Sequence, residues 1–107
     1  MPPEIEWFAN IKNENTRRAY QNDLRGFMHF IGIKQPEELR AVTRAHVIAW
    51  RKELERRNLA AATIRRKLAA LSDLFSYLCE ANAVLHNPVH GVERPRAGAN
   101  ERKTPAL

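Results

Sequence analysis

Residues 60–78 read AAATIRRKLAALSDLFSYL. Within them Ile64, Leu68, Leu71, Phe75 and Leu78 recur at steps of three and four, the spacing that lines side chains along one face of an α-helix. So regular a stripe predicts a helix buried along one side. The same stretch sets Arg65, Arg66 and Lys67 at the leading end of that helix, where unpaired backbone N–H groups already carry partial positive charge. Three cations placed against the helix dipole call for an anionic counterpart. By the helical step, Arg66 falls roughly opposite the stripe, Arg65 about a quarter-turn away, and Lys67 at its margin on a stem long enough to reach outward. Ala69 and Ala70 are assigned to the outward side, where small side chains let a partner approach. Thr63 adds a hydroxyl beside the first backbone N–H groups, and both suit phosphate.

The remainder reads as helices too, with no alternation long enough for a strand. A short first helix is expected from Ile5 to Ile11. NENTRRAY (13–20) offers Asn15 or Thr16 as the cap of a second, in which Tyr20, Leu24, Phe27 and Ile31 mark the core face until Gly32 ends the run. KQPEEL (34–39) is a loop in which Pro36 can open a single turn. Thr43 caps a third helix with Val47, Trp50 and Leu54 buried, running out at RRNLAA (56–61). The fourth begins at Ala62 or Thr63 and is stopped by NPVHG (87–91), because Pro88 disfavours a helical Asn87. The expected fold is all-α, a compact four-helix bundle with one short helix and three longer ones. ERPRAGANERKTPAL (93–107) is polar and rich in Pro, Gly and Ala, so residues 1–95 are expected to form the domain and 96–107 a flexible linker toward a further domain.

A chain of 107 residues suits one domain rather than two, and 44% apolar residues supply a modest core. No apolar run approaches the ~20 residues that cross a bilayer. MPPEIEWF (1–8) is acidic where a secretory signal is basic, and the lone Cys79 excludes an internal disulfide. A cytosolic location is expected. Between Arg44 and Lys67 stand eight Arg or Lys residues against Glu53 and Glu55, which accounts for the whole formal charge of +6. Basic charge concentrated on one part of a small domain is the footprint of a polyanion binder, although a solvated basic surface has the same composition.

The second helix repeats the theme: Thr16, Arg17 and Arg18 occupy its first turn, with Arg18, Asn22 and Arg25 away from the core face. Two helix starts, each with a threonine followed by paired cations, suggest a two-pronged grip on a duplex backbone. Other constellations are weak. His86, His90 and Cys79 are conceivable zinc ligands, but Pro88 and Gly91 make the histidine segment a turn and no fourth ligand is spaced to match. Tyr20 lies on an apolar stripe and is read as core, and Tyr77 is read as surface. No Ser/His/Asp order, glycine-rich phosphate loop or carboxylate pair is present. No metal site, catalytic residue or cofactor is expected.

Two motifs carry a resemblance. The first is T-x-x-x-Y-x-x-D-L-x-x-F, here Thr16, Tyr20, Asp23, Leu24 and Phe27; the second is T-I-x-R-K-L-x-x-L-x-x-x-F-x-Y-L over Thr63 to Leu78, then an Asn-Pro pair and a basic linker. In this order the chain resembles, over about residues 4–96, the N-terminal core-binding domain of tyrosine recombinases, the phage integrase and Xer group. The resemblance implies a SAM-like bundle that grips one side of a recombination half-site, with the second and fourth helices near the major groove. Carried over, it makes Thr16, Arg17, Arg18, Thr63, Arg65, Arg66 and Lys67 the DNA contacts, with Lys12 and Asn13 as additions and Arg94 and Arg96 near phosphates on the linker. It implies as partners double-stranded DNA, other recombinase protomers and a C-terminal catalytic domain, with no membrane and a monomeric isolated fragment. It also implies a bacterial or phage-encoded cytoplasmic protein that cuts and rejoins DNA through a phosphotyrosine bond without metal or nucleotide cofactor, while this fragment only binds. The alternatives are a helical protein-interaction module using the first helix and Tyr77, or a helix-turn-helix regulator. The regulator is disfavoured because RRNLAAAT (56–63) lacks a glycine-containing tight turn.

Overall fold

A computed structural model describes residues 1–95, and every regular element in them is helical. The expected linker at 96–107, and Arg96 with it, lies outside the described residues. In chain order the elements are α1 (Pro3–Ala9), α2 (Glu14–Ile31), a 3₁₀ turn (Pro36–Ala41), α3 (Arg44–Arg56) and α4 (Ala61–Glu80). This is the all-α architecture expected, one short helix and three longer ones, with the single turn opened by Pro36. No described helix is long and apolar enough to cross a membrane.

Several boundaries differ from the expectation by a few residues, and two of them trace to asparagine. Helix α2 is capped by Asn13 rather than by Asn15 or Thr16: the Asn13 Oδ1 accepts from the Thr16 N–H at 2.9 Å, satisfying one of the orphan donors of the first turn. Helix α4 ends at Glu80, well before Asn87-Pro88. There Asn82 adopts the left-handed conformation (φ 61°), and the Asn82 and Ala83 N–H groups donate back to the Cys79 and Leu78 carbonyls at 3.0 and 2.9 Å. This is the paired closure that glycine usually serves, and asparagine tolerates it. Asn58 (φ 62°) closes α3 in the same way through Leu54 and Glu55. At the end of α2 Gly32 takes the role expected of it, with φ 82°. Helix α1 starts two residues earlier than expected because Pro3 fits the first helical position, where no N–H is required. Thr43 caps α3, and its own N–H donates to the His46 Nδ1 at 2.9 Å, a histidine standing where glutamate closes the usual box.

Helices α2 and α4 run antiparallel, since Tyr20 bonds Asp73 whereas Asp23, three residues later, meets Arg66 and Lys67. Their facing stripes meet α3 in one core of Phe27, Val47, Trp50, Leu54, Ile64, Leu68, Leu71, Leu74, Phe75 and Leu78. Phe27 and Trp50 pack edge to face, ring centroids 5.0 Å apart. After α4 the chain doubles back and inserts Val89 and Val92 into the same core. Asn87 fixes that return: its Nδ2 faces the Ser72 carbonyl (3.1 Å) and the Ser76 hydroxyl (3.2 Å), while its Oδ1 accepts from the Val89 N–H (2.9 Å). Ala70 is fully buried rather than outward, because the stripe of α4 widens where α2 crosses it.

Helix α1 is held by side chains. Glu4, buried, receives Arg40 Nε at 2.6 Å and Nη2 at 3.2 Å; Glu6 accepts from the Tyr77 hydroxyl at 2.6 Å; Trp7 stacks on Tyr20 at 5.7 Å. Burial alone raises the Glu4 carboxyl, but the Arg40 hydrogen bonds, its own backbone and the Arg40 charge outweigh that and hold it below the ordinary value near 4.5. A carboxyl lowered by folding stabilises the fold fully above its unfolded value and loses that contribution as pH falls through the folded one. Glu4→Gln is therefore expected to cost about 1 kcal/mol at neutral pH, discounted because Arg40 is partly solvated, and progressively less below about pH 4. Urea unfolding of both proteins at pH 7 and pH 3 measures this; a difference that grows in acid would contradict it.

Candidate nucleic-acid interface

The three cations of α4 sit in its second turn, not its first, because the helix begins at Ala61. The dipole that opposes them fades beyond the first turn, so their conflict with it is mild. Each also has a partner. Arg66 places Nη2 2.9 Å from Asp23 Oδ1 and Nε 3.3 Å from Oδ2, and Lys67 Nζ lies 2.9 Å from the same Oδ1. Asp23 is 1% exposed. The side chain of Arg66 stays 50% exposed and that of Lys67 20%. The hydrogen bond to Asp23 pushes the Arg66 guanidinium further up, so it is charged at any working pH. Arg65 Nη1 donates to the Pro95 carbonyl at 3.2 Å and so marks where the chain leaves the bundle. Ala60, the cap of α4, offers no side-chain acceptor to the first-turn N–H groups beside Thr63, which is half-buried.

At the start of α2, Asn13 is spent on capping and Thr16 is the residue it caps. Arg17 reaches back to the Ile11 carbonyl at 2.8 Å and braces the α1–α2 connection. Lys12, Arg18 and Arg94 are exposed and have no hydrogen-bonding or ionic partner among the described residues. The structure does not bring the two helix starts together. Because α2 and α4 are antiparallel, Thr16 lies seven residues from Asp23 in one direction and Thr63 three residues from Arg66 in the other, an axial separation of roughly 15 Å at 1.5 Å per residue. The two prongs stand at opposite ends of one helix pair.

On α3, Glu53 takes Arg56 and Arg57, each at 2.9 Å, and Glu55 takes Arg51 at 3.1 Å. The Arg56 and Arg57 hydrogen bonds hold the Glu53 carboxyl at about 2. Much of the basic run is thus internally paired. The tyrosines are not poised for nucleophilic use: burial and then Asp73 push the Tyr20 phenol up, and the hydrogen bond to Glu6 pushes Tyr77 up. Tyr20 is half-buried against Trp7, and Tyr77, half-buried, ties α4 to α1 through Glu6. Cys79, His86 and His90 line one shallow cleft with Arg44 and Glu80, and no three His, Cys, Asp or Glu residues among those described are grouped to hold a metal.

A four-helix bundle with an acid–base clasp between its two long helices and cations along their seam is the geometry on which comparison with known proteins bears. Residues 8–82 match the family model described as phage integrase, N-terminal SAM-like domain, and the chain belongs to that family. It is similar to the tyrosine recombinase XerC of Roseiflexus sp. (strain RS-1), 30% identical over 77% of this chain and 26% of the relative. It is likewise similar to XerC of Listeria monocytogenes serotype 4a (strain HCC23), 31% identical over 69% of the chain and 25% of the relative. A third relative is tyrosine recombinase XerD of Rickettsia prowazekii (strain Madrid E), 27% identical over 78% and 27%. The chain spans about a quarter of the length of these curated relatives. No solved structure matches it. The missing glycine no longer speaks against a helix-turn-helix regulator, since Asn58 supplies the tight turn without one; the family match does so instead.

Proposed function

We propose that this chain is the DNA-binding module of a site-specific tyrosine recombinase, gripping one side of a recombination half-site. Residues 1–95 form the binding domain, and 96–107 connect it to a catalytic domain that performs the cutting and rejoining; the fragment itself is not an enzyme and uses no cofactor. Its partners are duplex DNA, neighbouring protomers and that catalytic domain. The observation that carries this reading is the family match over residues 8–82, on a bundle whose two long helices carry more cations than their buried carboxylate can neutralise.

A fluorescent duplex titrated at several salt concentrations tests it. Weak binding is expected, with log affinity falling linearly against log salt by about 0.9 per phosphate neutralised. The clean probes are the unpaired cations. Lys12→Ala combined with Arg18→Ala is expected to weaken binding severalfold and to flatten the slope by about one for each phosphate no longer neutralised, without moving the unfolding transition. Replacing Arg65, Arg66 and Lys67 together is the poorer test, because it strands the Asp23 carboxylate in the interior. No binding at low salt would sink the reading.

One observation favours a protein-interaction role beside it. A cleft of about 460 Å³ between α1, α2 and the 3₁₀ turn is lined by Trp7, Phe8, Leu24, Met28 and Leu39. Self-association in high salt with no affinity for DNA would select that role instead.

A further inference from the structure

We propose that Asp23 is a positioning residue for phosphate, holding Arg66 and Lys67 as one preset donor array; this rests on the duplex-binding reading above. A buried carboxylate needs a cation, but one is sufficient to neutralise it. Here a single carboxylate, 1% exposed, takes two, and the surplus charge is turned toward solvent on a half-exposed guanidinium. The donor count points the same way. Arg66 spends two of its five N–H groups on Asp23, through Nε and Nη2, and Lys67 spends one of three. Five donors are left over on two side chains, neither of which can swing away without giving up its bonds to Asp23.

Free arginine and lysine lose rotamer freedom when they close on an anion. These two lose it on folding, so an incoming phosphate meets them already aimed, the general advantage of preorganisation. Asp23 belongs to α2 and the cations to α4, so the array exists only when the two helices are packed. Among the described residues, no negative charge other than Asp23 is bonded to either cation.

Charge and positioning make opposite forecasts for Asp23→Asn. The substitution raises the formal charge from +6 by one, so attraction alone tightens binding. Positioning predicts affinity about fivefold or more weaker, with a salt slope shallower by about one, because the freed cations no longer act as a unit. Both proteins are compared at a temperature where melting curves show each fully folded. Equal or tighter binding by Asp23→Asn overturns the proposal, as does a lowered Tm with affinity and slope unmoved, which is the signature of a merely structural carboxylate. Should Asp23→Asn fail to fold, Arg66→Lys decides: it keeps the charge and loses the fork, and is expected to bind about threefold more weakly, while unchanged affinity overturns the proposal. Wild-type protein that ignores DNA overturns the duplex reading together with this one; wild-type binding with both variants unchanged overturns this one alone.

Discussion

Trp50→Ala is expected to remove about 3–5 kcal/mol of stability, the usual loss when a large buried aromatic becomes a cavity. Trp50 is 2% exposed, and its ring packs edge to face with Phe27 where α3 meets α2. A domain this small holds about 5–15 kcal/mol in total, so one side chain carries a large share. The reason lies in geometry: α3 buries Val47, Trp50 and Leu54 in the core with Ile48 packed at its edge, and in a close-packed interior the space of an indole is not readily refilled. Urea unfolding followed by far-ultraviolet circular dichroism measures the loss. A value under about 1 kcal/mol would mean that α3 is not docked as described.

The second large effect belongs to a polar residue. Asn87→Ala is expected to cost about 2–3 kcal/mol, because it leaves the buried Val89 N–H without its acceptor and unbolts the return segment from Ser72 and Ser76. Val89 and Val92 reach the core through that segment, so the loss extends to their burial. Asn87→Asp is expected to be at least as damaging despite its shape, since a carboxylate has no N–H for the Ser72 carbonyl and brings charge into a buried site. Hydrogen exchange at Val89 reports the local release, and equilibrium unfolding the total. Protection at Val89 unchanged in Asn87→Ala would refute the role given to this side chain.

Much of the fold was legible because burial follows the helical period. The stripes of Tyr20, Leu24, Phe27 and Ile31, of Val47, Trp50 and Leu54, and of Ile64 to Leu78 each meet the core, with Leu24 and Ile31 at its half-buried edge and Tyr20 beside it, stacked on Trp7. The ends of the helices were less legible, since Asn58 and Asn82 do work for which glycine is the usual marker. Ala70 was misplaced because an alanine carries no polarity to tell an outward face from a close helix crossing. The candidate site was half visible. Its cations stand out in the sequence, but their counterpart lies 43 residues away on another helix. One signal did exist: Asp23 falls on the same stripe as Thr16, Tyr20 and Phe27, and a carboxylate on a buried stripe must find a cation.

The antiparallel course of α2 and α4 has a consequence in the units of the nucleic acid. Duplex DNA rises ~3.4 Å per base pair, so the roughly 15 Å between the two helix starts equals about four to five base pairs, close to half a helical turn. On the duplex-binding reading, with the helix pair laid along the duplex, Arg18 and Thr63 address phosphates about four to five base pairs apart, and a site shorter than that step would leave one end of the pair over water.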